Sequence, residues 1–500
     1  MKIDIKFLLI LLTIGLTRCQ HKVQEIQDAR PNVLFIAIDD LRPELGCYSA
    51  PVKSPNIDKL ASEGVLFNRH YVQFAVCIPS RAALLTGLRS ERTRQLYGPP
   101  VWKDVPGVQS WGNTFNEAGY QTASLGKIWH ITGGENSDKF DIEWKPHYKY
   151  TYAEPKSQKD WINFRELRSK NVPVREIENL CPITEAADVH DSAYVDGKVA
   201  LRAIKEMRKL AKNDQPFMMA VGFVKPHLPL NAPKKYWDMY KEEEIELAPN
   251  PDFPQNMPDI AFSGHPNFFN YTYGDYPALE KGKPMDIRTS KHLRHAYRAA
   301  TSYSDAQVGL ILKELTSLGL DKNTIVVLWG DHGWHLGDAG HWGKQTNFEY
   351  ATRAPLIIKV PEFKNKNVKT DALVETVDIM PTVMDLCGIP AAKISDGKSL
   401  VPFLENPTPS WKEAVYHVFN RRKEIDGKRT LIIGHAVRTN KYRFISWRVG
   451  WGLQGKEIAA ELYDYEKDPY ETINVANEPD YQEIKKQMES LLQKGPPGEI

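Results

Sequence analysis

The chain has 500 residues, of which 26% are charged, and a formal net charge of +2. That near-neutral balance, without a long run of one sign, carries no global sign of nucleic-acid binding and sets that class aside. A hydrophobic fraction of 42% is ordinary for a globular chain, and the length suits one large α/β core with a smaller appendage. The 12 tryptophans and 22 tyrosines fit either a sugar-facing surface or large core residues.

Residues 1–19 read as a signal peptide outside the fold. Lys2 and Lys6 supply a basic start, and the apolar run 7–16 is too short to span a bilayer. Leu16-Thr17-Arg18-Cys19 resembles a bacterial lipoprotein cleavage box, although Arg18 departs from the usual small residue. Export is therefore expected, to the periplasm or to the outer membrane or cell surface, and membrane attachment through a lipidated Cys19 stays open. No later segment is apolar enough to cross a membrane. Cys19, Cys47, Cys77, Cys181 and Cys387 are scattered without a disulfide framework.

Short apolar runs at 32–38, 121–125, 217–224, 324–329 and 355–360 have the character of buried parallel strands. Helical patterns lie between them at 56–63, 192–212, 293–318 and 376–386. This alternation predicts a doubly wound α/β sheet. Segments 131–190 and 228–290 are rich in Pro, Tyr, Phe and Trp with little periodicity, which suits functional loops. Beyond about residue 388 the pattern changes. Alternating stretches at 414–419, 430–437 and 442–447 suggest a small antiparallel sheet, and a last helix is expected over 480–493. The domains expected are a catalytic α/β unit at 24–388 and a C-terminal subdomain at 389–500.

Four of the strands end in charged or imidazole residues: Asp39-Asp40, then Lys127 and His130, then His227, then Asp331-His332. In open α/β sheets the ligand crevice lies beyond the carboxyl ends of the strands, so these side chains are expected to converge. The segment Cys77-Ile78-Pro79-Ser80-Arg81-Ala82-Ala83-Leu84-Leu85-Thr86-Gly87 reads as a helix with Pro79 and Ser80 in its first turn and Gly87 at its end. Cys77 would then stand where free N–H groups favour an anion, with Arg81 one turn later. From these residues alone, a structural or a reactive Cys77 are both open.

CIPSRAALLTG resembles the signature of the type I sulfatases, C-x-P-S-R-x-x-x-L-T-G, at every fixed position. The resemblance runs over nearly the whole mature chain and is closest to the iduronate-2-sulfatase branch. IAIDDLRPELGCY, GKIWH, VGFVKPHLP, SYSDAQVG, DHGWHLGDAGHWGKQTNF and ELYDYEKDPYETINVA look like segments of that branch in the same order. It implies an alkaline-phosphatase-like doubly wound mixed sheet with helices on both faces, followed by a small α+β subdomain. In that family the cysteine is oxidised after synthesis to Cα-formylglycine by a formylglycine-generating maturase. The resemblance implies a metal site of Asp39, Asp40, Cys77, Asp331 and His332. Three carboxylates favour calcium over magnesium.

The implied chemistry follows from the ester. Its sulfate oxygens repel nucleophiles, so a hard cation and fixed positive side chains must neutralise them. A hydroxyl of the Cys77-derived hydrate would attack sulfur, and His227 would protonate the departing sugar oxygen. His130 would take the proton of the second hydroxyl as sulfate leaves. Lys127 and Lys344 would bind sulfate oxygens, and Arg81 would hold the hydrate. Trp129, Trp334, His335, Trp342 and Asn347 lie beside these residues and are candidates to face the sugar. The substrate expected is a sulfated oligosaccharide, carrying a 2-O-sulfated uronate or an algal sugar as in ulvan. Rival readings are a phosphonate or phosphodiester hydrolase of the same fold, a non-catalytic glycan-binding lipoprotein, and an aryl sulfatase for sulfur scavenging.

Overall fold

A computed structural model describes residues 30–96, 105–130, 140–144, 149–361, 366–390, 392, 394–406 and 411–495. The signal-like segment and Cys19 lie outside the described residues. The longer elements begin with β1 (Asn32–Ile38), α1 (Pro55–Ser62), β2 (Val65–Tyr71), α2 (Cys77–Thr86), β3 (Gln121–Gly126) and β4 (Ile142–Trp144). They continue with α3 (Pro155–Ser169), α4 (Val195–Leu210), β5 (Phe217–Phe223), α5 (Ile287–Ser317), β6 (Thr324–Gly330), β7 (Leu356–Lys359), β8 (Val368–Glu375) and α6 (Ile379–Leu386).

The central sheet has 8 strands in the order β8-β2-β7-β6-β1-β5-β3-β4. β1 shows why its sequence is an unbroken apolar run. Its Val33, Phe35 and Ala37 enter one core with Ala82 and Leu85 of α2 and Ile379 and Val383 of α6. Its Leu34, Ile36 and Ile38 enter a second core on the opposite face, with Leu60 of α1, Val199 and Met207 of α4, and Val308 and Ile311 of α5. Alternate side chains thus bury on both faces, and a polar residue at any of these positions would be stranded in a helix-covered layer.

The run at 355–360 is a strand, but it is not parallel to its neighbours. β7 pairs antiparallel with both β6 and β2, which makes the sheet mixed. β2 and β8 carry too many polar residues to stand out as buried runs. β8 lies at the sheet edge, and half of its positions face solvent or nearly so. α5 is longer than the expected 293–318 and spans 31 residues, started by Asp286, whose carboxylate accepts from the amides of Arg288 (2.9 Å) and Thr289 (3.2 Å). The segment 131–190 is less irregular than its sequence suggests, because it contains the 15-residue helix α3. Only Trp161 and Phe164 of that helix are buried, so it shows little apolar periodicity.

Beyond the central sheet lie β9 (Ala414–Ile425), β10 (Lys428–Thr439), β11 (Tyr442–Val449), β12 (Glu457–Asp464) and α7 (Gln482–Lys494). The four strands form an antiparallel sheet in sequence order. One face packs Tyr416, Val437, Phe444 and Leu462 against Met488 and Leu492 of α7. The other packs Ile432, Ile445, Trp447 and Tyr463 against Ile260 and Phe348 of the larger unit. A buried charge network also ties Lys412 of the smaller unit to the larger one. Arg89 pairs through both terminal nitrogens with Glu375 (2.7 and 2.6 Å), and Lys412 bonds Glu375 (2.9 Å) and Asp378 (2.6 Å). Removing one partner strands the other. Arg89→Ala is expected to destabilise the protein by about 3 kcal/mol, the low end for a broken buried pair because Lys412 remains on Glu375. Thermal unfolding checks this; an unchanged Tm would contradict it.

Among the described residues, no helix is long and apolar enough to cross a membrane. Cys47, Cys77, Cys181 and Cys387 are all free and buried.

Candidate active site

β6, β1, β5 and β3 lie side by side, and their registers bring their carboxyl ends level. Ile38 stands opposite Gly330 on one side and Phe223 on the other, and Gly126 stands opposite Gly222. The strand ends deliver Asp39-Asp40, Asp331-His332, Val224-Lys225 and Lys127 to one edge. Two local features let them meet. Asp40 adopts a left-handed backbone (φ 60°), so its carboxylate need not point away from that of Asp39 as successive strand residues do. Gly126 and Gly222 allow β3 and β5 to approach: a Cβ on Gly222 would lie 2.1 Å from the carbonyl oxygen of Lys127.

α2 begins at Cys77, follows an extended Val76, and ends at Gly87 in the left-handed region (φ 68°). Cys77 is 2% exposed. Its Sγ lies 2.9 Å from Lys344 Nζ, 3.4 Å from His332 Nε2, 3.8 Å from Lys127 Nζ and 3.9 Å from Asp40 Oδ1. Burial pushes the thiol up, but Lys127, Lys344 and His332 more than offset this and hold it well below its usual range. The helix turn carries Arg81 back under the same site. Its Nε donates to Asp331 Oδ2 (3.1 Å), one terminal nitrogen donates to Asp39 Oδ1 (3.1 Å), and the other donates to the carbonyls of Lys127 and Ile128. Ser80 Oγ donates to the Asp331 carbonyl, tying the first turn of α2 to the end of β6.

Lys127 Nζ bonds Asp39 Oδ2, and Lys344 Nζ bonds Asp40 Oδ1 at 2.5 Å. Burial and the Cys77 thiolate push the Asp39 carboxyl up; Lys127, His227 and Arg81 outweigh them and hold it below the usual carboxylate range. Burial and the neighbouring Asp39 hold Asp331 well above that range. Burial pushes the His332 imidazole down, but Asp331 and Cys77 together outweigh it and raise it to about 9. His130 is lowered, chiefly by burial, and hydrogen-bonds the Cys77 thiol. Its Nδ1 is buried without a hydrogen-bond partner. His227 is anchored through Nδ1 to the Leu228 carbonyl (2.6 Å), and its Nε2 faces Asp40 (3.9 Å) and Asp39 (4.0 Å).

A cation fits this edge. Ligand atoms of Asp39, Asp40, Cys77 and His332 all lie within 4.8 Å of one another, and all four residues are buried. Asp40 Oδ2 is a buried carboxylate oxygen with no hydrogen-bond partner. An orphaned anionic oxygen in a dry site is costly unless a cation takes it. Asp331 stands beside the cluster, with Oδ1 accepting from the Asp40 amide (2.9 Å) and lying 3.6 Å from His332 Nε2. The carboxylates are hard oxygen donors of the kind calcium takes.

Cys77, Lys127, His130, His227 and Lys344 line a cavity of about 270 Å³. Trp129, Trp334, His335, Trp342 and Asn347 do not line it. Trp334 and Trp342 are packed in an apolar core, where Trp334 lies 5.4 Å below the Lys344 ammonium. His335 bonds Thr346 and the Asp338 carbonyl, and Asn347 donates to Gly434. These residues brace the loop that carries Lys344. The outer wall instead comes from both aromatic-rich insertions: Trp161, Phe164 and Arg165 on α3, and Asn267, Asn270 and Tyr271 from the second. Sequence reasoning placed the insertions at a site but named none of these residues. It also missed Lys225, although Lys225 adjoins His227 in the same motif. Lys225 Nζ donates to the carbonyls of His227 (2.6 Å) and Pro229, which fixes the loop holding His227. Asp196 accepts from the amides of Val224 (2.8 Å) and Lys225 (2.7 Å) behind it.

Comparison with known proteins finds relatives along nearly the whole described chain. A family profile described as Sulfatase matches residues 31–389, and one described as N-sulphoglucosamine sulphohydrolase, C-terminal, matches residues 337–495. The chain is 32% identical to iduronate 2-sulfatase of Mus musculus, over 89% of this chain and 91% of that protein. It is 29% identical to an ulvan-active sulfatase of Formosa agariphila, over 97% of this chain and 85% of that one. In fold it is similar to the phosphonate monoester hydrolase of Agrobacterium radiobacter, with a TM-score of 0.70 and 24% identity, over 93% and 95% of the two chains.

Proposed function

This chain belongs to the sulfatase family and is a sulfuric ester hydrolase of the iduronate-2-sulfatase-like type, and we propose that it desulfates sugars from a sulfated polysaccharide, using calcium and a Cα-formylglycine made from Cys77. The substrate class is a 2-O-sulfated uronate or a sulfated algal sugar such as those of ulvan, drawn from what the relatives act on. The observation that carries the reading is Cys77 at the start of α2, ringed by Lys127, Lys344 and two histidines above a buried acidic cluster. A thiol is a poor match for that hard donor set, whereas oxygens in its place suit both calcium and an ester of sulfate.

A formylglycine hydrate at Cys77 would supply an oxygen nucleophile and a second hydroxyl. Asp39, Asp40, Asp331 and His332, with the group derived from Cys77, would hold calcium, which would supply positive charge to the sulfate oxygens. Lys127 and Lys344 bind those oxygens, since their ammonium groups already converge on the Cys77 side chain. Arg81 holds Asp39 and Asp331 in place from beneath. His227 gives a proton from Nε2 to the departing sugar oxygen, its ring fixed by the Leu228 carbonyl. His130, beside the Cys77 side chain, takes the proton that restores the aldehyde. A formylglycine-generating maturase would oxidise Cys77. The reading extends to export through residues 1–19, a catalytic unit at 24–388 and a C-terminal subdomain at 389–500.

His227→Ala tests the proton transfer. It is expected to slow release of sulfate from a sugar ester by about 100-fold or more, because an alkoxide leaves poorly without a proton. On an aryl sulfate with an acidic phenol the loss should stay below about 10-fold. Equal losses on both esters would remove His227 from that role. The substrate reading is tested by comparing kcat/KM for a sulfated uronate disaccharide and a phosphonate monoester. A higher value for the phosphonate would make the chain a phosphonate hydrolase of this fold.

A further inference from the structure

Asp40 is held at three of its four polar atoms. Its amide donates to Asp331 Oδ1 (2.9 Å), its Oδ1 accepts from Lys344 (2.5 Å), and its carbonyl accepts from the Tyr297 hydroxyl (2.7 Å). The fourth, Oδ2, is the buried oxygen with no hydrogen-bond partner among the described residues. Asp331 and Lys344 belong to the site itself. Tyr297 comes from the middle of α5 and is fully buried, with Leu293 and Ala296 in an apolar core.

The Tyr297 hydroxyl makes two bonds at once. It donates to the Asp40 carbonyl and accepts from the Arg42 amide (2.9 Å), so it spans the turn that follows β1. The far side of that turn is fixed in its own right, because the Arg42 guanidinium bonds Asp338 (2.6 Å) and the Trp334 carbonyl (3.1 Å). The span matters because Asp40 stands in the left-handed region (φ 60°). That conformation is costly for a residue with a Cβ and persists where the surroundings over-determine it. Released from it, Asp40 would relax toward extended backbone, in which successive side chains point to opposite faces. Its carboxylate would then turn away from Asp39 and His332, with which it clusters.

We infer that Tyr297 is a positioning residue for the cation: its hydroxyl holds Asp40 in the backbone conformation that presents its carboxylate to the cluster. The inference rests on the calcium reading. Tyr297 touches neither Cys77 nor the lysines at the cavity floor, so its effect falls on how tightly the cation is held.

Thermal unfolding of full-length protein that carries the aldehyde, stripped with chelator and titrated with calcium, tests it. Wild-type Tm should rise as calcium is added. Tyr297→Phe removes one oxygen and keeps the ring in its core. It is expected to need about 10- to 100-fold more calcium for the same gain in Tm over its own chelated form, the usual loss when a group that orients a metal ligand is removed. The calcium concentration for half-maximal sulfate release should rise with it. Tyr303→Phe is the matched control. Tyr303 is also on α5 and fully buried, and its hydroxyl likewise donates to a carbonyl (Asp191, 3.0 Å) and accepts from an amide (Gly197, 2.7 Å), neither of them in the cluster. That variant should have a lower Tm at every calcium concentration and an unchanged calcium requirement. An unchanged requirement in Tyr297→Phe, an equal shift in Tyr303→Phe, or a Tyr297→Phe protein that folds at no calcium concentration makes Tyr297 structural and overturns the inference, leaving the calcium reading standing. A wild-type protein whose Tm and activity ignore calcium overturns the calcium reading and the inference with it.

Discussion

Cys77→Ala is expected to lower turnover of every sulfate ester by about 10,000-fold or more, the scale on which enzymes lose activity when a covalent nucleophile is removed. The fold should survive. The sulfur is small, α2 is held by Ser80, Arg81 and the apolar contacts of Ala82, Leu84 and Leu85, and both lysines keep their carboxylate partners. Tm should therefore move by no more than about 2 °C. Cys77→Ser should lose turnover as completely, because a serine has one oxygen and cannot release sulfate by reforming an aldehyde. Sulfate release measured in calcium-saturated protein checks both variants. Residual turnover in Cys77→Ala within about 10-fold of wild type would mean that another group attacks sulfur.

Removal of calcium should have an effect of similar size. Asp39, Asp40 and His332 form a buried donor cluster in which one Asp40 oxygen has no partner. Without a cation the sulfate oxygens meet these carboxylates directly, and repulsion opposes binding and attack alike. Exhaustive chelation is expected to abolish activity, and calcium to restore it. Magnesium should restore less, because it demands near-octahedral geometry and gives up its waters reluctantly. Stability should fall as well: a ligand at 100 times its Kd contributes about 2.7 kcal/mol to the folded state. Thermal unfolding with and without chelator reads this independently of activity. Full activity and an unshifted Tm after chelation would show that the cluster works without a metal.

Much of this site was legible before any fold was known, for a physical reason. Parallel strands buried on both faces are continuous apolar runs, so a charged residue at the end of such a run marks the sheet edge. Asp39, Lys127 and Asp331 are readable in that way, and Cys77 is readable because a helix start is written in Pro79 and Ser80 and its end in Gly87. What could not be read depends on side-chain direction. Trp334 and Trp342 lie two residues from His332 and Lys344 in sequence yet turn into the core, while Trp161 and Tyr271, more than 100 residues apart, meet on the cavity wall. The left-handed turn at Asp40 leaves no signal beyond an aspartate that tolerates it. β7 has the apolar composition of its parallel neighbours, and only its pairing reveals that it runs against them.

The proposed chemistry needs Cys77 as an aldehyde and not as a thiol. The mass of the tryptic peptide containing Cys77, taken from protein made in its natural host, tests this most directly. Loss of the thiol with gain of an aldehyde is the result expected. An unmodified cysteine in protein that still releases sulfate would overturn the aldehyde chemistry.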